Sequence, residues 1–308
     1  MQFNLITTGP TQIKNKQKSK FFFLGNWCIK FDKKILFQKN SKYIADYHWD
    51  DKKKFNKDYS QIILQTENLL DDLGKTLNIL QNKKISKQQW RIILYPWLIQ
   101  YVTILYDRWE TCENFIKKNN KDRFVLNYFK NDKTVIECVD HIDFTKKALG
   151  NKWNNDLFKK IFDYLDPKII VNKKKIVEKK IKIKSNINNL NYTFSLQNFL
   201  IKALSYFSFY TNQILFESFY FPKNLFLKLC LKNMLIPGMF FFNSTKKYSN
   251  YDDDLRNIAS EIIKKKFINN NSNKRNKTFK NFLYETIFEH IPLSYLESFD
   301  IIFKKSSN

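Results

Sequence analysis

A chain of 308 residues with 43% hydrophobic content can bury one large core or two ordinary ones, which excludes a disordered or fibrous protein. The formal charge of +25, from 54 Lys and Arg against 29 Asp and Glu, is mostly Lys scattered among Asn, Ile and Phe, the bias of an A+T-rich coding sequence. No nucleic-acid motif accompanies that charge, so no specific nucleic-acid partner is expected.

Phe3 to Thr8 and Lys20 to Leu24 are short apolar runs ended by Gly9-Pro10 and Gly25, and both are predicted as buried strands. Strands this early, followed by long helices, predict an α/β fold: an open, mostly parallel sheet with long flanking helices. Ligands sit beyond the carboxyl ends of the strands in such sheets. Gly25, Asn26, Trp27 and Cys28 fall at such an end, where they read equally as a site and as a tight turn with the Trp folded on the core. The N-terminus reads as a strand instead of a signal peptide. The uncharged run from Ile92 to Tyr106 is shorter than the ~20 residues that span a bilayer. A cytoplasmic protein is expected, with peripheral contact at the inner face of the membrane left open.

Tyr47-His48-Trp49-Asp50-Asp51 gathers side chains that are costly to bury just ahead of a helix, and Asp50 or Asp51 is the expected N-cap. Histidine suits general-base work near neutral pH, but no neighbouring motif orients His48, and a lone histidine among aromatics more often serves as a structural donor. Tyr59, Ile62, Leu69, Leu73, Leu77 and Leu80 follow helical spacing. A capping box at Ser86 and Gln89 then opens a second long helix to Lys118, with an apolar face of Trp90, Leu94, Trp97, Tyr101 and Leu105. The two helices form an αα-hairpin. Pro96, Gln100, Thr103 and Asp107 share a narrower polar or small stripe, either flecks on a core helix or the lining of a cleft, and Pro96 is expected to kink the helix. Asp107 and Arg108, adjacent in sequence, are not expected to face each other, so each needs another partner or a ligand.

Farther on, Lys133 to Val139 is predicted as a short strand and Trp153 to Leu165 as a helix ended by Asp166-Pro167. The Lys/Asn-rich stretch of residues 168–192 reads as a basic solvated loop, with strand-like alternation after Ile176. Ser195 to Leu231 is aromatic helix and strand, Asp252 to Phe267 and Thr278 to His290 are helices, and Tyr295 to Phe303 closes the chain. No Gly-rich phosphate loop, Gly-x-Ser-x-Gly elbow or His-Glu-x-x-His pair occurs. Four widely separated cysteines form no zinc or disulfide pattern. Neither a metal nor a cofactor is expected.

LITTGP at Leu5 to Pro10, FLGNWC at Phe23 to Cys28, YHWDD at Tyr47 to Asp51, WRIILYPWL at Trp90 to Leu98 and YDRW at Tyr106 to Trp109 carry a likeness in order and spacing. With weaker matches at Tyr220 to Pro222 and Ile291 to Phe299, the chain resembles the N-terminal region of a family of bacterial transferases of surface polysaccharide and O-antigen biosynthesis. Asn26 stands where an acidic residue is expected and Tyr95 where a glycine is.

The resemblance implies a glycosyltransferase-like, two-domain, GT-B-like plan, with the acceptor in the first domain and the nucleotide-sugar donor in the second. Residues 1–308 are then a single acceptor-side α/β domain, and the C-terminal donor-binding domain is expected to be absent or separate. Under that plan His48 deprotonates the hydroxyl of a glycan or lipid-linked acceptor, Asp50 or Asp51 orients it, and Arg91 or Arg108 opposes phosphate charge. Trp27, Trp49 and Trp97 stack on sugar faces or simply pack, and Gly25, Asn26 and Asp107 complete the crevice. The alternative is a non-catalytic binding or interaction module whose basic surface rests on acidic glycan or membrane. The transferase plan needs Trp27, His48 and Arg91 to converge on one pocket.

Overall fold

The two N-terminal apolar runs pair with each other in one sheet, the first inside it and the second at the end of its strand order. In the computed structural model, which describes residues 2–9, 20–29, 43–129, 137–176, 249–267 and 277–306 with positions 225, 228 and 232, the strands are β1 (Gln2–Ile6), β2 (Phe21–Phe23), β3 (Arg123–Phe129) and β4 (Ile170–Ile176). All pairs are parallel, in the order β2-β1-β3-β4. The chain divides into two units, Met1–Lys179 with Tyr248–Asn308, and Lys180–Lys247, and the sheet belongs to the first.

Register explains the core. Leu5 pairs with Phe22 on one side of β1, and Phe3 pairs with Phe124 on the other. Phe3, Phe22 and Phe124 therefore pack together, and Phe115 closes on Phe22 and Phe124 with ring centroids 5.4 and 4.8 Å apart. The third strand lies at Arg123–Phe129, ahead of the predicted 133–139, of which residues 133–136 fall outside the described residues. Residues 170–176 are not a solvated loop but β4, the outermost strand on that side among the described residues, because parallel pairing with β3 satisfies their backbone. Exposed lysines suit an edge strand, since they discourage pairing with another chain. The predicted alternation after Ile176 and nearly all of 195–231 also fall outside the described residues.

Seven helices occur among the described residues. Helix α1 (Lys52–Leu80) is capped by Asp51, whose carboxylate accepts from the Lys53 and Lys54 amides at 2.8 and 3.3 Å. Helix α2 (Lys87–Lys118) opens on the expected capping box and runs through Pro96 as one helix. The turn between them is tied by Asn78, which bonds both backbone groups of Ile85 and accepts from Trp90 Nε1 at 3.1 Å. Gly74 makes room for the Trp90 ring: a Cβ there would lie 2.8 Å from Trp90 Cδ1.

Helices α3 (His141–Ala148), α4 (Asn151–Leu165), α5 (Asp253–Phe267), α6 (Phe279–His290) and α7 (Phe299–Ser306) complete the unit. Helix α2 is the buried axis, with Trp90, Leu94, Trp97, Leu98, Tyr101 and Leu105 in the core. Gln100, from its polar stripe, accepts from Thr145 of α3 at 2.6 Å, whereas Asp107 sits in a separate polar cluster. Among the described residues no helix is long and apolar enough to cross a membrane.

Candidate functional site

Because β2 and β3 flank β1 on opposite sides, the strand order reverses at β1, and in open sheets of this kind ligands bind beyond the carboxyl ends of the strands at such a point. Buried Thr7 and Thr8 follow β1 there. Trp27 Nε1 donates to the Thr7 carbonyl at 3.0 Å, and Asn155 Nδ2 donates to Thr7 Oγ1 at 2.7 Å and to the Asn127 carbonyl at 3.3 Å. Gly25 allows Trp27 to fold over it, since a Cβ at that position would lie 2.2 Å from the indole ring. Trp27 stays 38% exposed, parallel to Phe158 of α4 with 6.4 Å between centroids and edge-on to Tyr47 at 6.0 Å.

Behind this rim Asp107 is a hub. It is 4% exposed, and its Oδ1 accepts from Tyr47 Oη at 2.7 Å and from His48 Nε2 at 3.0 Å, while Oδ2 pairs with Arg108. Burial opposes ionisation of Asp107, but the His48 hydrogen bond, the Arg108 charge and the Tyr47 hydroxyl outweigh it and hold the carboxyl below its ordinary range. Burial and then Asp107 push the Tyr47 hydroxyl up, so Tyr47 remains a donor. His48 Nε2 faces only acceptors, Asp107 Oδ1 and the Asp107 carbonyl at 3.2 Å, so that nitrogen carries a proton. The other, Nδ1, has no hydrogen-bond partner among the described residues and lies 3.9 Å from Asp58 Oδ2. Asp58 is itself held by Trp49 Nε1 at 3.1 Å, Tyr106 Oη at 3.2 Å and Lys54 Nζ at 2.8 Å.

Arg108 bonds Asp107 although the two are neighbours on α2, which the simple helical wheel does not anticipate; a guanidinium on a three-carbon stem can fold back along the helix. Its Nε also donates to Asn154 Oδ1 at 2.9 Å, and the guanidinium lies over Phe158, 5.6 Å from the centroid.

Of the residues singled out in the sequence, Gly25, Trp27, His48, Trp49, Asp107 and Arg108 come together, with exposed Asn26 and Asp50 beside them. Asp51 caps α1. Arg91 lies elsewhere, paired with Glu67 on the surface sixteen positions along α2 from Asp107, about 24 Å at 1.5 Å per residue, so the expected convergence of Trp27, His48 and Arg91 fails at Arg91, and only Trp27 and His48 meet, through Tyr47. Trp97 is fully buried, stacked on Tyr101 and edge-on to Phe144.

Asp58, Asn127, Asn154 and Asn155 join the cluster without having been singled out. The one local signal was the run Asn154-Asn155-Asp156 on the buried face of an amphipathic helix, where polar residues need a reason. A cavity of about 300 Å³ near Phe22, Asp46, Asn114 and Lys118 includes none of the cluster, so cavity and cluster are separate features. No group of three or more His, Cys, Asp or Glu among the described residues is arranged to hold a metal ion.

A parallel sheet with helices around it, carrying a buried acid–imidazole pair and an exposed aromatic side chain at its carboxyl edge, makes this an open α/β protein, a class whose ligands bind at that edge. The family model described as LIC12162 family transferase matches residues 3–308, and the chain belongs to that family. No curated protein and no solved structure matches it.

Proposed function

We propose that this transferase moves a glycosyl group onto a hydroxyl of a glycan or lipid-linked acceptor in surface-polysaccharide or O-antigen assembly. Residues 1–308 hold the acceptor in a GT-B-like arrangement, and the nucleotide-sugar is presented by a second domain or partner chain. The observation that carries this is the His48–Asp107 pair: Asp107 fixes the imidazole through Nε2, 3.0 Å away, and leaves Nδ1 to take a proton. As the acceptor oxygen bonds to the anomeric carbon, its proton passes to Nδ1 and the nucleotide leaves with the bond's electrons. Asp58, 3.9 Å from Nδ1, then faces the imidazolium. The exposed Trp27 ring offers a face for a sugar.

The His48 side chain is 1% exposed, so the base role requires the turn from His48 to Asp50 to move outward when the acceptor binds. That same burial favours the second reading, a binding module in which His48 is only a structural donor. A transfer assay of the chain together with its donor-presenting domain or partner, with a panel of nucleotide-sugars and a membrane extract as acceptor, separates the two. Loss of about 100-fold or more in His48→Ala supports the base, and an undiminished rate removes it.

A further inference from the structure

We propose that Arg108 anchors a site for a diphosphate-bearing ligand at the carboxyl edge of the sheet, beside Trp27 and the turn after β1. This deepens the transferase reading and rests on it only in taking that edge as the substrate site.

Arg108 presents a planar fork of five donors. Two of its nitrogens are held: Nε donates to Asn154 and Nη1 to Asp107, and Asn154 is in turn anchored by its own amide to the carbonyls of Ala148 and Gly150 at 2.8 and 2.9 Å. The remaining N–H groups have no partner among the described residues, and a quarter of the side chain is exposed. Asp107 meets the guanidinium at one nitrogen only, so the N–H groups it leaves are still available as donors. A cation held this rigidly loses little freedom when it binds an anion.

Position supports the same conclusion. Arg108 lies over Phe158, Phe158 is parallel to Trp27, and Trp27 donates to the carbonyl of Thr7 just past β1, so the guanidinium belongs to the carboxyl end of β1, beside the topological switch point. The buried Thr8 hydroxyl at that end has no partner among the described residues, a deficit that a phosphate oxygen would make good. Phosphate suits a bidentate fork, and the diphosphate links either a nucleotide or a polyprenyl carrier to its sugar.

Calorimetry on the full chain with inorganic pyrophosphate, UDP, farnesyl diphosphate and citrate tests the proposal. Saturable pyrophosphate binding is expected, weakened about tenfold or more by Arg108→Gln and unchanged by Arg123→Gln, whose guanidinium bonds the Lys168 carbonyl at the opposite edge of the sheet. Tighter binding of UDP than pyrophosphate assigns the diphosphate to a nucleotide, and tighter binding of farnesyl diphosphate to a lipid carrier; either supports the site. Equal affinity for citrate, no saturable binding, or loss through Arg123 instead of Arg108 overturns it. Should Arg108→Gln fail to fold, Arg108→Lys keeps the charge without the fork and is expected to bind pyrophosphate several-fold more weakly. Sugar binding that depends on Trp27 while pyrophosphate fails to bind would sink this site and leave the glycosyl reading standing.

Discussion

Replacing Asp107 with Asn tests whether the polar cluster is held by one ionised carboxylate. Its Oδ1 accepts from Tyr47 and His48 and its Oδ2 from Arg108, so an amide in either orientation sets its own N–H groups against at least one donor. Bonds to a charged acceptor contribute about 1.5–3 kcal/mol each, and removing one partner of a buried pair costs about 3–5 kcal/mol. The Arg108 side chain is a quarter exposed, so its bond counts at the low end, and the three losses share one hub and do not add.

About 3 kcal/mol is therefore expected, equivalent to roughly 6–12 °C in melting temperature at 2–4 °C per kcal/mol. Urea and thermal unfolding followed by circular dichroism at pH 7 give the difference directly. Because the folded carboxyl lies below its unfolded value near ~3.9, its contribution is present above that pH and is lost as pH falls through the folded value. The gap between wild type and Asp107→Asn should thus narrow in acid. A cost under about 1 kcal/mol, or a gap that widens on acidification, would refute the hub.

Gly74→Ala sets a Cβ 2.8 Å from the buried Trp90 ring and should cost about 1–3 kcal/mol in urea unfolding; a neutral result would mean that the helix pair is loose there. Gly25→Ala should push Trp27 off Phe158 and change the near-ultraviolet circular dichroism with little change in the far-ultraviolet, whereas an unaltered aromatic spectrum would contradict that close approach. His290, between Tyr101 and Trp153, has neither ring nitrogen bonded among the described residues, and burial, then the charges of Lys160 and Arg256, hold its imidazole well below the ordinary value. The unfolded chain takes up a proton below about pH 6.5 and the folded chain does not, so stability should fall with acid by up to ~1.4 kcal/mol per pH unit. His290→Phe should flatten that slope, and an unchanged slope between pH 6.5 and 5 would show that His290 does not set it.

Much of the scaffold was legible because it is local. The Ser86–Gln89 capping box, the strand ends at Gly9 and Gly25 and the periodicities of α1 and α2 are written within a few residues. β3 was not, because RFVLNYF lies close behind α2 and, as a strand buried in a parallel sheet, lacks clean alternation. β4 looked like a solvated lysine run because its partner, β3, was missing from the picture. The site was half legible: Trp27, His48 and Arg108 stand out by residue type, but their partners lie far along the chain. His48 meets Asp107 across 59 positions and Arg108 meets Asn154 across 46, distances at which spacing carries no information. Arg91 and Trp97 were grouped with them by a shared helix, but α2 is long enough to carry them far from Asp107.

The central claim is that substrate binds at the sheet's carboxyl edge and not at the other end of α2. Saturation-transfer NMR with a library of oligosaccharides and nucleotide-sugars measures this most directly. Signals present with wild type should vanish in Trp27→Ala and persist in Arg91→Gln; full binding by Trp27→Ala, or loss in Arg91→Gln alone, would contradict the account.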